Sequence, residues 1–370
     1  MTKIRATLVL LLLPLACFSQ DTLKLSMLFT GDIMQHESQI YAAFDPVTGR
    51  YDYRPCFQFI KSVLTEPDLT IGNLELTLAG PPYKGYPQFS APDELLDALK
   101  DAGYDALVTA NNHCVDRGAS GLERTIDMLD SVGMPHTGTF KDTLTWLNEY
   151  PLVVEAKNFR FSLLNYTYGT NGLPVTSPNI VNRIDTASIR RDIMKAKGQR
   201  TDAIIVFFHW GQEYQSLPNK WQKDLADFCF KLGATFVIGA HPHVLQPMEW
   251  RKEAGRVVAY SLGNFVSGQR ERYRNGGALL HVAVRKILRP DGTSSFEIAD
   301  VSYSLDAVYR APNARKTYHI LPVEQFENDT TFVEGKVRHD MIIQFRDDSR
   351  LLFGKYNVNV SERMPTLKDH

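Results

Sequence analysis

The sequence predicts an α/β fold with helices on both faces of a sheet. Two observations lead there. Apolar runs of strand length alternate with helical patterns through the first two thirds of the chain, the βαβα rhythm of a largely parallel sheet. From Gly276 the pattern changes to strand-like alternation around a Pro-Asp-Gly turn, so a mainly β extension is expected to follow.

The elements read in order. LKLSMLFT, followed by Gly31, is a strand, FQFIKSVL (57–64) has helical spacing, and PDLTIGNLE (67–75) is the next strand. PDELLDALKDAG (92–103) is a helix opened by Pro92 and Asp93 and stopped by Gly103. YDALVTA (104–110) is a strand, and SGLERTIDMLDSVG (120–133) a helix ended by Gly133. PLVVEAKNFRFSLLNYTY (151–168) reads as two strands around a Lys-Asn turn. TASIRRDIMKAKGQ and NKWQKDLADFCFKLG (219–233) are helices. DAIIVFFHWG (202–211), ATFVIGAHPH and RVVAYSLGNF (256–265) are strands running into turns. The expected organisation is a leader at 1–20, a main domain at 21–275, a β-rich extension at 276–353 and a loosely ordered tail at 354–370.

Composition narrows the functional class. The chain has 370 residues, 44% hydrophobic and 22% charged, ordinary globular usage. A formal net charge of -1 gives no global attraction to nucleic acid, and no nucleic-acid partner is expected. A polyanion would have to be handled by a local patch or by metal ions.

The start of the chain, MTKIRATLVLLLLPLACFSQ, carries Lys3 and Arg5 before an apolar run from Ala6 to Leu15, then small residues. This is the pattern of a secretory signal peptide, and the run is too short to span a bilayer stably. An exported protein, periplasmic or extracellular, is expected. Pro14 stands where a lipoprotein signal carries an aliphatic residue, which favours cleavage near Ser19 or Gln20; anchoring through an acylated Cys17 is the alternative. The four cysteines, Cys17, Cys56, Cys114 and Cys229, show no C-x-x-C spacing, so a disulfide scaffold is not expected. A Cys114–Cys229 bridge and buried free thiols both remain open.

The chemistry-bearing residues follow the strands. TGDIMQH carries Asp32 and His36, GNLE carries Asn73 and Glu75, and ANNHCVDRG carries Asn111, Asn112, His113 and Asp116. HWGQEY carries His209 and Glu213, GAHPH carries His241 and His243, and SLGNF carries Asn264. In open α/β sheets the carboxyl ends of the strands form one crevice. A single strand-end histidine is an ordinary turn residue. Five of them beside Asp32 and Glu75 point to a shared site. Carboxylates, amide oxygens and imidazoles without thiolates suit Mn, Fe, Zn or Mg. Two such ions roughly 3.5–4 Å apart would clamp a phosphoryl or carbonyl centre. Asp116, three residues after His113, is placed to orient that imidazole as a general acid or base.

Together TGDIM, GNLE, ANNHCVDRG, HWGQEY, GAHPHVLQ and YSLGNFV resemble the CapA family of capsule-synthesis proteins associated with poly-γ-glutamate. That family is similar in fold to calcineurin-like metallophosphoesterases, so the resemblance implies a metallophosphoesterase-like sandwich with helices flanking its sheets. It also implies that Asp32, Glu75, Asn112, His209, His241 and His243 hold one or two divalent ions, and that His113 is the catalytic histidine. Met34 stands where the family pattern of phosphoesterases has a histidine, and Glu75 where it has an aspartate. His36 is the nearest candidate to compensate for Met34. Asn73, Asn111, Glu213, Asn264 and His36 are expected to contact substrate. Two further stretches are candidates for the mouth of the crevice: PPYKGYP (81–87), with Tyr83, Lys84 and Tyr86, and GQRERYR (268–274), with Arg270, Arg272 and Arg274.

Three functional readings follow. The first is a metal-dependent hydrolase of an anionic polymer or phosphoester, acting in capsule or exopolymer synthesis, anchoring or release. The second is a non-catalytic, polymer-binding subunit of a membrane-bound synthase or export complex. The third is a generic phosphodiesterase.

Overall fold

Met27 and Phe29 project to one side of their strand and Leu28 to the other, and both sides are buried. The same holds for Ile205 and Phe207 against Ile204, Val206 and Phe208. Strands buried on both faces read as continuous apolar runs, and here two such sets stack on one another. Phe29 meets Phe236 across the interface, ring centroids 6.3 Å apart. The computed structural model describes residues 21–312, 316–329 and 336–363. The expected leader, Cys17, and residues 364–370 of the expected tail lie outside the described residues.

The first sheet runs, in spatial order, Tyr318–Pro322, Ser294–Arg310, Gly276–Leu288, Asp21–Ile33, Leu69–Leu74, Ala106–Val108 and His136–Thr137. From Asp21–Ile33 onward in this order the neighbours are parallel; those preceding it are antiparallel. The second sheet runs Leu245–Arg251, Arg256–Leu262, Phe236–Ala240, Ala203–His209, Phe159–Thr167 and Leu152–Ala156. Its four middle strands are parallel and its two edges antiparallel. Helices Thr186–Gly198 and Lys220–Leu232 cover the outer face of the second sheet through Ile189, Ile193, Leu225 and Cys229. Helix Glu94–Ala102, ended by left-handed Gly103, covers the first through Leu95, Leu96 and Leu99.

The βα rhythm alone suggested one sheet with helices on both faces. The fold has two sheets, the sandwich that the family resemblance implies, each with one face against the other sheet and one against helices. Periodicity cannot tell these apart, because either arrangement buries both faces of every central strand. Leu245–Arg251, directly after the His-Pro-His turn, is a strand the pattern did not reveal. Strand Gly276–Leu288 pairs directly with Asp21–Ile33, and Ser294–Arg310 and Tyr318–Pro322 add to it in turn. Within 276–353, expected as mainly β, lies most of a 21-residue helix, Lys336–Tyr356. Its buried positions Ile342, Phe345, Ser349 and Phe353 recur three to four apart, the spacing of one helix face, with a serine interrupting the apolar signal. That helix takes the first residues of the expected tail, and Ser361–Glu362 then pairs with Ser302 and Tyr303. Cys56, Cys114 and Cys229 are all buried free thiols. Among the described residues no helix is long and apolar enough to cross a membrane.

Two features of this framework carry measurable consequences. A Cβ on Gly239 would overlap the Tyr260 carbonyl, which accepts the Trp210 indole N–H at 2.9 Å. Gly239→Ala is therefore expected to destabilise the chain by about 1–3 kcal/mol, read as a shift in denaturant midpoint at unchanged slope. His281 is buried on the far side of the first sheet, with Nε2 2.8 Å from Ser304 Oγ and Nδ1 3.1 Å from Arg363 Nη1. Burial, reinforced by the Arg363 charge, lowers its pKa from 6.5 to about 3. The folded state thus disfavours the protonated ring. The stability contributed is present above pH 6.5 and is lost as pH falls from 6.5 towards 3, a loss on the order of a few kcal/mol. His281→Gln is expected to flatten the acid limb of stability against pH in urea titrations; an unchanged limb refutes the assignment.

Candidate metal centre

The parallel strands of both sheets point their carboxyl ends at one place. Asp32 closes the first strand in register with Asn73 and, on its other side, with Asn264. Glu75 follows Leu69–Leu74, and the turn after Ala106–Val108 brings Asn111, Asn112, His113 and Asp116. His209 ends its strand in the second sheet, and His241 and His243 lie in the turn after Phe236–Ala240. The site therefore sits across the carboxyl edge of two stacked sheets, and each sheet supplies about half of it.

In that turn His241 and His243 have φ of 96° and 57°. Non-glycine residues held there cost of order 1–3 kcal/mol each, strain that concentrates at functional sites. The turn is fixed in part by His241 N–H donating to Asp32 Oδ2 at 3.1 Å.

Asp32, Glu75, His209, His241 and His243 are buried. Two sets of three, Glu75 with His241 and His243, and Asp32 with Glu75 and His209, place one ligand atom per residue within 4.8 Å of one another. Glu75 belongs to both. Its Oε1 lies 3.4 Å from His209 Nε2 and 3.8 Å from His243 Nε2, while His243 Nδ1 lies 3.3 Å from Asp32 Oδ2. Asn112 Oδ1 is 2.7 Å from His209 Nε2. Asn73 Nδ2 donates to Asp32 Oδ1 at 2.7 Å and lies 3.2 Å from His209 Nδ1, so it aligns two of these groups.

The donor set fits a divalent cation. Both Glu75 carboxylate oxygens and His241 Nδ1 are buried without a hydrogen-bond partner, a costly state that a cation would relieve. Burial, then the neighbouring negative charge of Asp32, raises the Glu75 pKa well above the ordinary range. Burial, then the surrounding imidazoles, lowers the pKa of His209 and of His241 well below theirs. Both rings are thereby kept neutral, the form that ligates metal.

His113 belongs to neither set. Its Nδ1 lies 2.7 Å from Asp116 Oδ2, which also accepts the Phe89 backbone N–H at 2.7 Å. The Phe89 ring packs edge-on against the imidazole at 4.6 Å. With Nδ1 engaged, Nε2 is the nitrogen left to exchange a proton. Asn111 is structural: its amide donates to the carbonyls of Leu74 and Thr109, and its oxygen accepts from His113 N–H. Asn264 Oδ1 lies 3.0 Å from His243 Nδ1, and its amide donates to the Arg274 carbonyl.

Other expected residues fall elsewhere. Met34 is packed in the helix-side core with Ile33 and Leu74, so it offers nothing to the centre. His36 does not replace it: Nδ1 accepts the Gly268 N–H at 3.0 Å and the ring packs on Phe89. Burial lowers its pKa to about 4. Glu213 is exposed at the rim. Arg274 lies over the Tyr214 ring at 3.4 Å, while Arg272 turns away to a bidentate pair with Asp348. Of PPYKGYP, Tyr83 packs on Tyr51, Lys84 bridges to Ser90, and Tyr86 stands exposed beside Phe89.

The sequence reading missed Tyr168, whose ring lies 4.5 Å from that of His241 and is stacked on His209 at 6.3 Å. It is 42% exposed, the aromatic wall of the mouth. Tyr168 directly follows the strand Phe159–Thr167, so the strand-exit rule could have found it. Asn171, which accepts from the Asn112 amide at 3.2 Å, was missed with it.

Stacked sheets with outer helices, and a buried cluster of carboxylates, imidazoles and an amide at their carboxyl edge, define an α/β sandwich with a candidate metal centre. The chain belongs to the bacterial capsule synthesis protein family PGA_cap, whose model matches residues 26–269 and so spans the second sheet, the parallel strands of the first and the whole cluster. It is 29% identical over 298 residues to the capsule biosynthesis protein CapA of Bacillus anthracis, covering 75% of this chain and 67% of that protein. It is 29% identical over 302 residues to the PGA biosynthesis protein CapA of Bacillus subtilis strain 168, covering 77% and 72%. The Haemophilus influenzae NAD nucleotidase NadN aligns at a TM-score of 0.46 and 12% identity, over 89% of this chain and 68% of that one. At that score nothing about its chemistry is carried over.

Proposed function

We propose that this protein is an exported, metal-dependent hydrolase that acts on a capsule-type anionic polymer of the poly-γ-glutamate class. Its partners would be that polymer and a membrane-bound polymer synthase. The observation that carries the reading is the pairing of two features: Glu75 and His241 present buried, unpartnered ligand atoms, and a His113–Asp116 pair stands beside them outside the ligand sets. Membership of a capsule-synthesis family and the CapA relatives supply the polymer context.

Asp32, Glu75, Asn112, His209, His241 and His243 would hold the ion or ions. A bound divalent cation supplies Lewis-acid polarisation of the scissile carbonyl or phosphoryl oxygen. The chain's own groups do the rest. Asp116 fixes the His113 ring so that Nε2 delivers a proton to the leaving atom. Asn73 holds Asp32 and His209 in alignment. Tyr168 shields the face of His241 from solvent.

One observation favours the non-catalytic polymer-binding reading: Met34 removes a histidine from the family's ligand pattern and lies in the core. Metal analysis and polymer hydrolysis, wild type against His241→Ala, separate the two. Wild type is expected to bind a divalent metal and to shorten poly-γ-glutamate, and the variant to lose both. Wild-type protein that carries metal and leaves the polymer and generic phosphoesters uncut establishes the binding role. Wild-type protein without metal removes the hydrolase reading.

A further inference from the structure

A separate cavity lies on the helix-covered face of the second sheet, between helices Thr143–Glu149 and Thr186–Gly198, with a volume of about 310 Å³. That is the lower end of the range for small-ligand pockets, ~300–1,000 Å³. Trp146, Tyr166, Asn182, Arg183, Arg191 and Asp192 are among its lining residues. Their hydrogen-bonding capacity is unevenly used. Both Asp192 oxygens are engaged, one by the Tyr166 hydroxyl at 2.9 Å and the other by Arg191 Nε at 2.9 Å. Asp185, also in the lining, accepts from Ser188 N–H as a helix cap.

The donors remain. Arg191 lies over the Trp146 ring at 5.1 Å, and its pairing through Nε leaves both terminal amines uncommitted to that carboxylate. Arg183 is exposed, and among the described residues its hydrogen bond is with the Thr170 hydroxyl, at 2.6 Å, rather than with a carboxylate. Asn182 is 7% exposed; its oxygen accepts the Trp146 indole N–H at 3.1 Å, and its amide nitrogen is buried without a partner. Asp185 is exposed and caps its helix, whereas the buried Asn182 amide has no partner and the two guanidiniums keep free N–H groups; these donors suit an acceptor-rich ligand, and guanidinium forks match carboxylates in particular.

The cavity is also joined to the metal centre through one stretch of chain. Arg183 bridges to Thr167, and the next residue, Tyr168, donates its N–H to the His209 carbonyl and covers His241. We propose that Trp146, Asn182, Arg183 and Arg191 form a subsite for the carboxylates of an anionic polymer whose cleaved or held segment lies at the metal centre. The proposal rests on the polymer reading above for the identity of the ligand, and its binding chemistry stands apart from hydrolysis.

The test is a titration of full-length, chelator-treated protein with short γ-glutamyl oligomers, with neutral dextran oligomers as the comparison. Binding is read by tryptophan fluorescence and calorimetry. Wild type is expected to bind the γ-glutamyl oligomers and to bind dextran at least about 10-fold more weakly. Arg183→Ala is expected to raise Kd about 10-fold, equivalent to about 1.4 kcal/mol, and the Arg183→Ala/Arg191→Ala pair by more, since each guanidinium supplies its own charge-assisted hydrogen bond. Because Arg183 is exposed, its variant should melt as wild type does. An unchanged Kd in Arg183→Ala, no binding by wild type, or equally tight dextran binding overturns the subsite. In metal-loaded protein, wild-type hydrolysis together with this binding supports both readings, and wild-type binding without any hydrolysis removes only the hydrolase.

Discussion

His113→Ala is expected to lower polymer turnover by about 10²–10⁴-fold, the range for a lost general acid or base, while bound metal stays at the wild-type level. The two halves of this result belong together. His113 is buried and held by Asp116 at 2.7 Å, and it lies in neither set of ligand atoms. Removing it should therefore stop proton transfer and spare the ion. Asp116→Asn should cost less metal than any ligand variant and still slow turnover, because it removes the carboxylate that orients Nδ1 and serves the Phe89 N–H. Elemental analysis and steady-state kinetics on the same preparations check both. A His113→Ala enzyme with wild-type turnover ends the acid–base assignment, and one that has lost its metal moves His113 into the ligand set.

Glu75→Gln should change stability with opposite signs in the two metal states. In chelated protein the carboxyl is buried with both oxygens unpartnered and Asp32 close by. A neutral amide of the same shape needs no proton to be buried beside the Asp32 carboxylate, so the change removes the cost of neutralising the acid and should stabilise the fold by about 1 kcal/mol or more. With metal present the variant loses the group common to both ligand sets, and with it the stabilisation that a bound ion supplies, ~2.7 kcal/mol at an ion concentration 100 times Kd. Thermal melts with and without saturating metal read both signs. A variant destabilised equally in both states would mean that Glu75 serves packing alone.

Most of the candidate site is legible because strands announce their ends. Asp32, Glu75, His209 and His241 each follow an apolar run by one to a few residues, and the run length locates the exit. Tyr168 obeys the same rule, but as the last residue of PLVVEAKNFRFSLLNYTY it reads as part of the strand. Met34 and His36 show the opposite failure. Two residues apart on one turn, they looked interchangeable as ligands, yet Met34 packs with Ile33 and Leu74 while His36 is taken by Gly268 N–H. No spacing rule states which side of a turn faces the crevice. The helix Lys336–Tyr356 was hidden for a simpler reason: Ser349 occupies a buried position of its inner face.

The linear pattern was sufficient to establish an α/β chain, an order of strands, and a set of carboxylate, amide and imidazole side chains at their ends. These are local properties, written in runs of a few residues and in the turns that stop them. The pattern could not say that the strands divide into two stacked sheets, that Glu75 stands within reach of histidines 134, 166 and 168 residues further along (His209, His241 and His243), or that Arg183 and Arg191 share a cavity with Trp146. Those facts depend on which apolar faces bury one another. Every central strand here is apolar on both sides, so its sequence is equally compatible with a sheet or a helix as neighbour, and the choice is made when the whole core packs.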